Sequence, residues 1–553
     1  VASLETTPRK DRKENMNNVR ELIDATPAQL SQLPIQFGKH QGKFIFEVPN
    51  SYLSWLSEAA GEDMQAKAIG AKNYLQELES NLPQVDTKGL KLPPALWPWQ
   101  KQGFVKYANR PFGGILAAAG SGKSRLMVEI MKAQGCSSAL IVCPLVVFSS
   151  WDEQFKKWAG WATAWTNKPA KKIYYLKHDP AKIHIINFHA LLNKEILETI
   201  LSIGFEWIII DESHNIKNHK RHTKQGANRL SIAGAALKLA GTAQRRYIIT
   251  GTPKEKTLLD LYTQITFLDH GKAFGSNFYN FRKLHFIKGF GQFGSWNANP
   301  FTVKRIKEVI DDYCIVVKKE DLEGMPPVIL KEHSIELVGE QIKQYKKLKK
   351  EAQIQVRLKC GTNVTITALF KIVEIRKLHQ MSGGAIKTED GPFFFKENPK
   401  LDYLFDCISS PETETPPVIF AQYKNEHTLI MDRAEKEGLV FGLIAGGKKD
   451  RLETRDRFMN RELDALVVQQ QAGGVGVDGL QTVSRDLFFY SQGYSRTLRD
   501  QAIARVQRPG GLIGPVIVND LLGLCEGKIT MDQIIMNAIK LKDQDFKEFF
   551  YGE

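Results

Sequence analysis

Between residues 112 and 250 short, unbroken apolar runs alternate with longer stretches of helical character. "GGILAA", "SSALIVCP", "KIYYL", "KIHIIN", "WIIID" and "RYIIT" are each too short for a helix of ordinary length and too continuously apolar for a strand with one wet face. Such runs suit parallel strands buried on both faces. A second series follows between 416 and 520: "PPVIFAQ", "LVFGLIAG", "DALVVQQ", "DLFFY" and "GPVIVND". Strands alternating with helices predict an α/β chain with two doubly wound parallel-sheet lobes. The first is expected over 92–270 and the second over 400–553. Residues 271–399 are expected to hold helical insertions and the connection, with "VGEQIKQYKKLKKEAQIQVRLK" reading as a basic helix and "SSPETETPP" as a loop.

Ahead of the first lobe the pattern is weaker. Residues 1–35 are rich in Lys, Arg, Glu, Asn and Thr and read as a flexible basic tail. Residues 36–91 read as a small accessory domain. The chain opens on Val1 without an initiator methionine, which reads as a processed chain or a fragment.

Composition adds three constraints. At about 150 residues per domain, 553 residues accommodate three or four domains. No apolar run approaches the roughly 20 residues of a membrane helix. The six cysteines are scattered and form no CxxC pair, which speaks against a disulfide framework or a zinc ribbon. His214, His219 and His222 lack a standard metal spacing, so no zinc is expected. A net charge of +15 favours a polyanionic partner such as nucleic acid.

Two motifs carry chemistry. "GGILAAAGSGKSRLMVEIM" places a strand, a glycine turn and a helix in succession. Gly120 and Gly122 let the backbone approach a phosphate, and the amides of the following helix face the anion. Lys123 would reach the β- and γ-phosphates and Ser124 would hold magnesium. Ser121 and Arg125 complete the candidate ATP-binding set. Ala117 stands where the motif ordinarily opens with glycine. "WIIIDESHN" ends a buried strand on Asp211 and Glu212. A buried carboxylate pair needs a compensating cation. With a phosphate loop upstream, Asp211 is expected to hold magnesium and Glu212 to orient or deprotonate water. A plain ion pair with Lys217 is the alternative.

In their order along the chain these motifs resemble those of Swi/Snf-type (superfamily-two) DNA translocases, compact HARP-like annealing helicases and phage-type members above all. The resemblance runs from about 92 to 545. It implies that Gln100 in "LWPWQKQGF" recognises adenine. It implies a DNA-strand contact near Trp151 in "LIVCPLVVFSSWDEQFKKW", or else a core position for that ring. Thr250 and Thr252 in "YIITGTP" would couple nucleotide state to DNA contact. Gly473, Gly474, Gly476 and Asp478 in "QAGGVGVDGL" would meet DNA and the ATP site. Gln501, Arg505 and Arg508 in "DQAIARVQRPGG" fall on the arginine-finger motif, with Ala504 where helicases commonly carry glycine.

The resemblance thus implies two RecA-like lobes, ATP and Mg2+ as cofactors, and an ATPase translocating on duplex or forked DNA. Fork remodelling, strand annealing or displacement of bound proteins would be its use. A strand-separating helicase on DNA or RNA and an ATP-gated DNA-binding subunit of a larger complex are the alternatives. Basic stretches at 217–224 and 343–350 would line the DNA path. An intracellular setting is expected, bacterial or phage, with the nucleus as the eukaryotic counterpart.

Overall fold

The computed structural model describes residues 92–93, 95–217, 230–254, 257–288, 296–319, 321–359, 364–446, 450–470 and 479–551, without the side chains of 351–372 and 551. The expected tail, the accessory region and the glycines at 473, 474 and 476 with Asp478 lie outside the described residues. The chain divides into two compact units. One comprises residues up to Ala117 and Gly122–Val317; the other comprises Ala118–Ser121 and the residues from Lys318 on.

The first unit is built on seven parallel strands. They are β1 (Phe112–Ala117), β2 (Ala139–Cys143), β3 (Thr163–Ala164), β4 (Ile183–Asn187), β5 (Trp207–Asp211), β6 (Arg245–Thr250) and β7 (Cys314–Val317), in the spatial order β3-β4-β2-β5-β6-β1-β7. From β1 the chain crosses to β2 and on to β3 at one edge, then returns through β4, β5 and β6 towards β1. That reversal makes the sheet doubly wound. Every residue of β2, β5 and β6 is buried, as the continuous apolar runs predict for strands covered on both sides.

Two readings of the sequence change. "KIYYL" belongs to a helix, Lys172–His178, in which Lys172 and Leu176 are the buried residues. Burial four residues apart is helical spacing, which a five-residue apolar run cannot distinguish from a strand. The 271–399 segment also supplies a strand to each sheet: β7 in the first unit, and β8 (Val328–Glu336) in the second.

The second unit carries six parallel strands: β8, β9 (Val418–Ala421), β10 (Phe441–Ile444), β11 (Ala465–Gln469), β12 (Asp486–Phe489) and β13 (Val516–Cys525). Their order is β8-β13-β12-β9-β11-β10. All five predicted strands are present. Side chains alternate between two cores. Val418, Phe420, Leu466 and Val468 pack on one face, while Ile419, Ala421, Ala465 and Val467 pack on the other. The expected basic helix forms at Gly339–Lys359.

A buried ionic knot ties the C-terminal helix to this unit. Lys400, near the start of α5 (Pro399–Ile408), reaches Asp532 in α7 (Met531–Tyr551) at 2.7 Å, with the two side chains 0% and 2% exposed. Ser382 Oγ and the Gly523 amide also donate to the Asp532 carboxylate, each at 2.9 Å, and His379 Nε2 lies 3.2 Å away. Burial pushes the carboxyl towards protonation. Lys400 and His379 outweigh it and hold the group well below its ordinary value of 3.8. A depressed carboxylate contributes stability above its unfolded value and loses it as pH falls. Lys400→Met should therefore destabilise the second unit by about 3–5 kcal/mol at neutral pH. The loss should shrink as the medium is acidified below the ordinary carboxylate range. Denaturant titrations across pH, with Lys400→Met/Asp532→Leu as the apolar control, measure both effects.

Candidate functional site

Strand register gathers the candidate residues of the first unit at one edge of its sheet. β6 lies between β5 and β1, with Asp211 paired to Ile249 and Leu116 paired to Thr250. The C-terminal ends of these three neighbours carry the phosphate loop, the carboxylate turn and the TGTP segment. In open parallel sheets that edge is where ligands bind.

The loop after β1 turns through two left-handed glycines, Gly120 at φ 81° and Gly122 at φ 76°. A side chain at 122 would be strained twice, because an added Cβ would also fall 2.6 Å from Gln100 Nε2. Helix α2 (Lys123–Ala133) starts directly after Gly122, so its free amides open onto the loop. Lys123 Nζ donates to the Ala117 carbonyl at 2.7 Å, folding the ammonium over the loop. The Ser121 hydroxyl is buried and has no hydrogen-bond partner among the described residues. An anion in the loop would supply one. Arg125 lies over the Trp158 ring at 3.6 Å and beside Glu129 at 3.9 Å.

Gln100 sits on α1 (Pro98–Tyr107) and is buried. Its Oε1 accepts from the Trp97 amide at 2.9 Å and its Nε2 donates to the Gly122 carbonyl at 3.1 Å. This glutamine clamps the phosphate loop to the segment before the first helix.

The carboxylates occupy two different environments. Asp211 is 9% exposed. Its Oδ2 accepts from the indole N–H of Trp151 and its Oδ1 from the Glu212 amide, both at 2.9 Å. Burial, reinforced by the charge of Glu212, raises its pKa; Trp151 and Lys123 oppose the shift. Glu212 takes a left-handed conformation, φ 54°, uncommon for a residue with a side chain. The turn re-aims its carboxylate, and 22% of the side chain remains exposed. His214 Nδ1 is 3.3 Å from Oε2, and Thr250 Oγ1 donates to the same oxygen at 3.4 Å. Burial pushes the Glu212 pKa up, but His214, Lys123 and Thr250 together bring it below the ordinary glutamate value. One carboxylate is therefore held close to neutralisation unless a cation joins it, while its neighbour stays ionised and accessible.

That contrast matches a magnesium–phosphate centre. Asp211 and Ser124 offer hard oxygens, the ligands magnesium prefers, and burial leaves Asp211 short of positive charge. Among the described residues no group of three or more His, Cys, Asp and Glu side chains could hold a metal by itself. A site of this kind takes the remaining ligands from phosphate and water.

Trp151 takes the core position, the second of the two expected for that ring. On α3 (Phe148–Ala159) its ring is 1% exposed, stacked on Phe155 with centroids 5.5 Å apart. A ring enclosed in the core with its N–H bound to Asp211 does not present a face to a DNA strand. Thr250 and Thr252 are buried side by side. The Thr252 amide donates to Thr250 Oγ1 at 3.1 Å, and the Thr252 hydroxyl has no partner among the described residues.

In the second unit Gln501 lies on α6 (Arg496–Ile503), with Arg505 and Arg508 in the turn beyond it. All three side chains are half-buried. Arg508 Nε donates to the Ala504 carbonyl at 2.9 Å. Sequence reasoning missed Arg499, which grips Asp520 through two bonds of 2.6 and 2.7 Å and holds the arginine helix to β13. The signal was present in "VIVNDLLGLC", an acid set inside an otherwise apolar strand. Ser213 and Gln264 were also missed. Ser213 Oγ donates to Gln264 Oε1 at 2.7 Å in the core below Glu212.

A family model described as SNF2-related domain matches residues 11–383. An uncharacterized ATP-dependent helicase of Mycoplasma pneumoniae is 23% identical over 508 residues, covering 87% of this chain and 45% of its own length. Putative protein p41 of Acyrthosiphon pisum secondary endosymbiont phage 1 is 23% identical over 446 residues, covering 76% and 90%. Helicase SWR1 of Saccharomyces cerevisiae is 24% identical over 414 residues, covering 69% and 26%. The chain spans less than half the length of the first two curated relatives, 45% and 38%. Among solved structures, the Sulfolobus solfataricus SWI2/SNF2 ATPase core in complex with dsDNA aligns with a TM-score of 0.38 and 20% identity, over 83% of this chain and 99% of that one.

Trp151→Phe keeps the ring and removes the N–H aimed at Asp211. Groups that orient a metal ligand typically affect metal affinity by about 10–100-fold. Magnesium titrations of fluorescent ADP binding should show a loss of that size, with metal-free nucleotide binding unchanged.

Proposed function

We propose that this chain, which belongs to the SNF2-related domain family, is an ATP-hydrolysing motor that translocates on double-stranded DNA. The observation that carries the reading is the convergence of Lys123, Asp211–Glu212 and Thr250 on the ends of three adjacent parallel strands.

The roles follow from the environments. Gly120, Gly122 and the start of α2 cradle the phosphates, and Lys123 moves from the Ala117 carbonyl to the terminal phosphate oxygens. The ion held by Ser124 and Asp211 would neutralise charge on those phosphates. Glu212, ionised and partly exposed, orients the attacking water and accepts its proton. Arg505 and Arg508 are assigned the stabilisation of charge developing on the transferred phosphoryl group. Gln501 belongs to the same motif. Thr250 bonds both to Glu212 and to the Thr252 amide, so it can report hydrolysis to the strand end behind it.

Duplex DNA is the proposed track. The positive balance of the chain and the exposed lysines 343, 346, 347 and 350 support an anionic partner. The 217–224 stretch lies beyond the described residues after Lys217. Among the described residues no helix is long and apolar enough to cross a membrane. A setting inside a bacterial or phage-infected cell is proposed.

Lys123→Ala and Glu212→Gln should each abolish DNA-stimulated ATP hydrolysis. Removing the proton acceptor alone is expected to cost about 10²–10⁴-fold. Arg508→Ala should lower kcat by about 10³–10⁵-fold with nucleotide affinity kept. Triplex displacement without separation of the duplex supports translocation, whereas unwinding of a forked duplex favours the helicase alternative. ATP turnover that no DNA or RNA stimulates would refute the motor.

A further inference from the structure

A motor needs a mechanical link between its carboxylate turn and the segment that reports to DNA. The contact from Thr250 to Glu212 is long, at 3.4 Å, and partly exposed. A second link lies in the core. Ser213 Oγ donates to Gln264 Oε1 at 2.7 Å, and Gln264 Nε2 donates to the Pro253 carbonyl at 2.8 Å and the Asp260 carbonyl at 2.9 Å. Both side chains are fully buried. Gln264 belongs to α4 (Leu261–Asp269), in which every residue is buried.

The Gln264 amide joins the start of its own helix to two distant segments, the turn at Ser213 and Pro253. An apolar side chain would fill the same space without that directionality. Shielded from water, these bonds are electrostatically stronger than the exposed contact. They are also directional, so a displacement of Ser213 pulls on the Gln264 amide and, through it, on the Pro253 carbonyl. Ser213 directly follows Glu212, and Pro253 directly follows Thr252. The bridge therefore joins the two functional elements through the buried core.

We propose that Gln264 is a positioning residue that transmits movement of the Glu212–Ser213 turn to Pro253, at the end of the TGTP segment, and thereby couples hydrolysis to DNA contact. This inference rests on the motor reading above.

The test compares full-length wild type, Ser213→Ala, Gln264→Leu and Ser213→Ala/Gln264→Leu. Melting temperature, hydrolysis without DNA, hydrolysis with saturating duplex and the half-stimulating DNA concentration are read for each. Ser213→Ala should keep its DNA-free rate within about twofold and lose about fivefold or more of its stimulation, the low end of coupling between sites. The half-stimulating concentration should not move. The double variant, in which Ser213 and Gln264 no longer leave each other unpaired, should melt no lower than Gln264→Leu and stay uncoupled. Wild-type stimulation in the double variant would overturn the proposal, because the pair would then be packing only. Should Gln264→Leu fail to fold, full stimulation of Ser213→Ala overturns it equally. A wild type that DNA does not stimulate would instead refute the motor reading, and this inference with it.

Discussion

Two acids end a fully buried strand, and the surroundings of Asp211 and Glu212 are best understood as responses to that placement. Like charges one residue apart in a low-dielectric interior repel and resist desolvation. Trp151 brings an indole N–H from α3. The left-handed turn at Glu212 separates the two carboxylates and turns its own amide onto Asp211. Lys123, His214 and Thr250 contribute from the adjoining loop, turn and strand. These contributions outweigh burial at Glu212 and do not at Asp211.

The second unit handles buried charge differently. Asp532 is saturated by Lys400, Ser382 and the Gly523 amide, with His379 close by. Asp520 is closed by the bidentate grip of Arg499. Lys400 and His379 outweigh burial at Asp532, whereas at Asp520 burial still raises the carboxyl against the pull of Arg499. Ionic clusters closed in this way lock elements together, here the C-terminal helix and the arginine helix against one sheet. An open cluster with unbalanced charge is the kind that binds or catalyses.

The two lobes were legible because strands buried on both sides must be continuously apolar, and ten of the eleven runs read as strands are strands. "KIYYL" was misread because five residues do not span enough of a helix to reveal its period. β7 and β8 escaped notice because "CIVV" is very short and β8 is an edge strand with most of its residues exposed. The phosphate loop and the carboxylate turn were legible because each depends on residues adjacent in the chain.

The sequence by itself determined the local chemistry: where glycine permits a tight turn, where a lysine follows it, and where a strand closes on acids. Only the tertiary structure decided which distant polar atoms meet. Trp151 was assigned to Asp211 across 60 residues, Gln100 to Gly122 across 22, and Gln264 to Ser213 across 51. A tryptophan or a glutamine can partner many groups, so its identity in the chain says little about its role. Its partner is set by sheet order and helix packing, which bring into hydrogen-bond range groups that local pattern leaves unrelated.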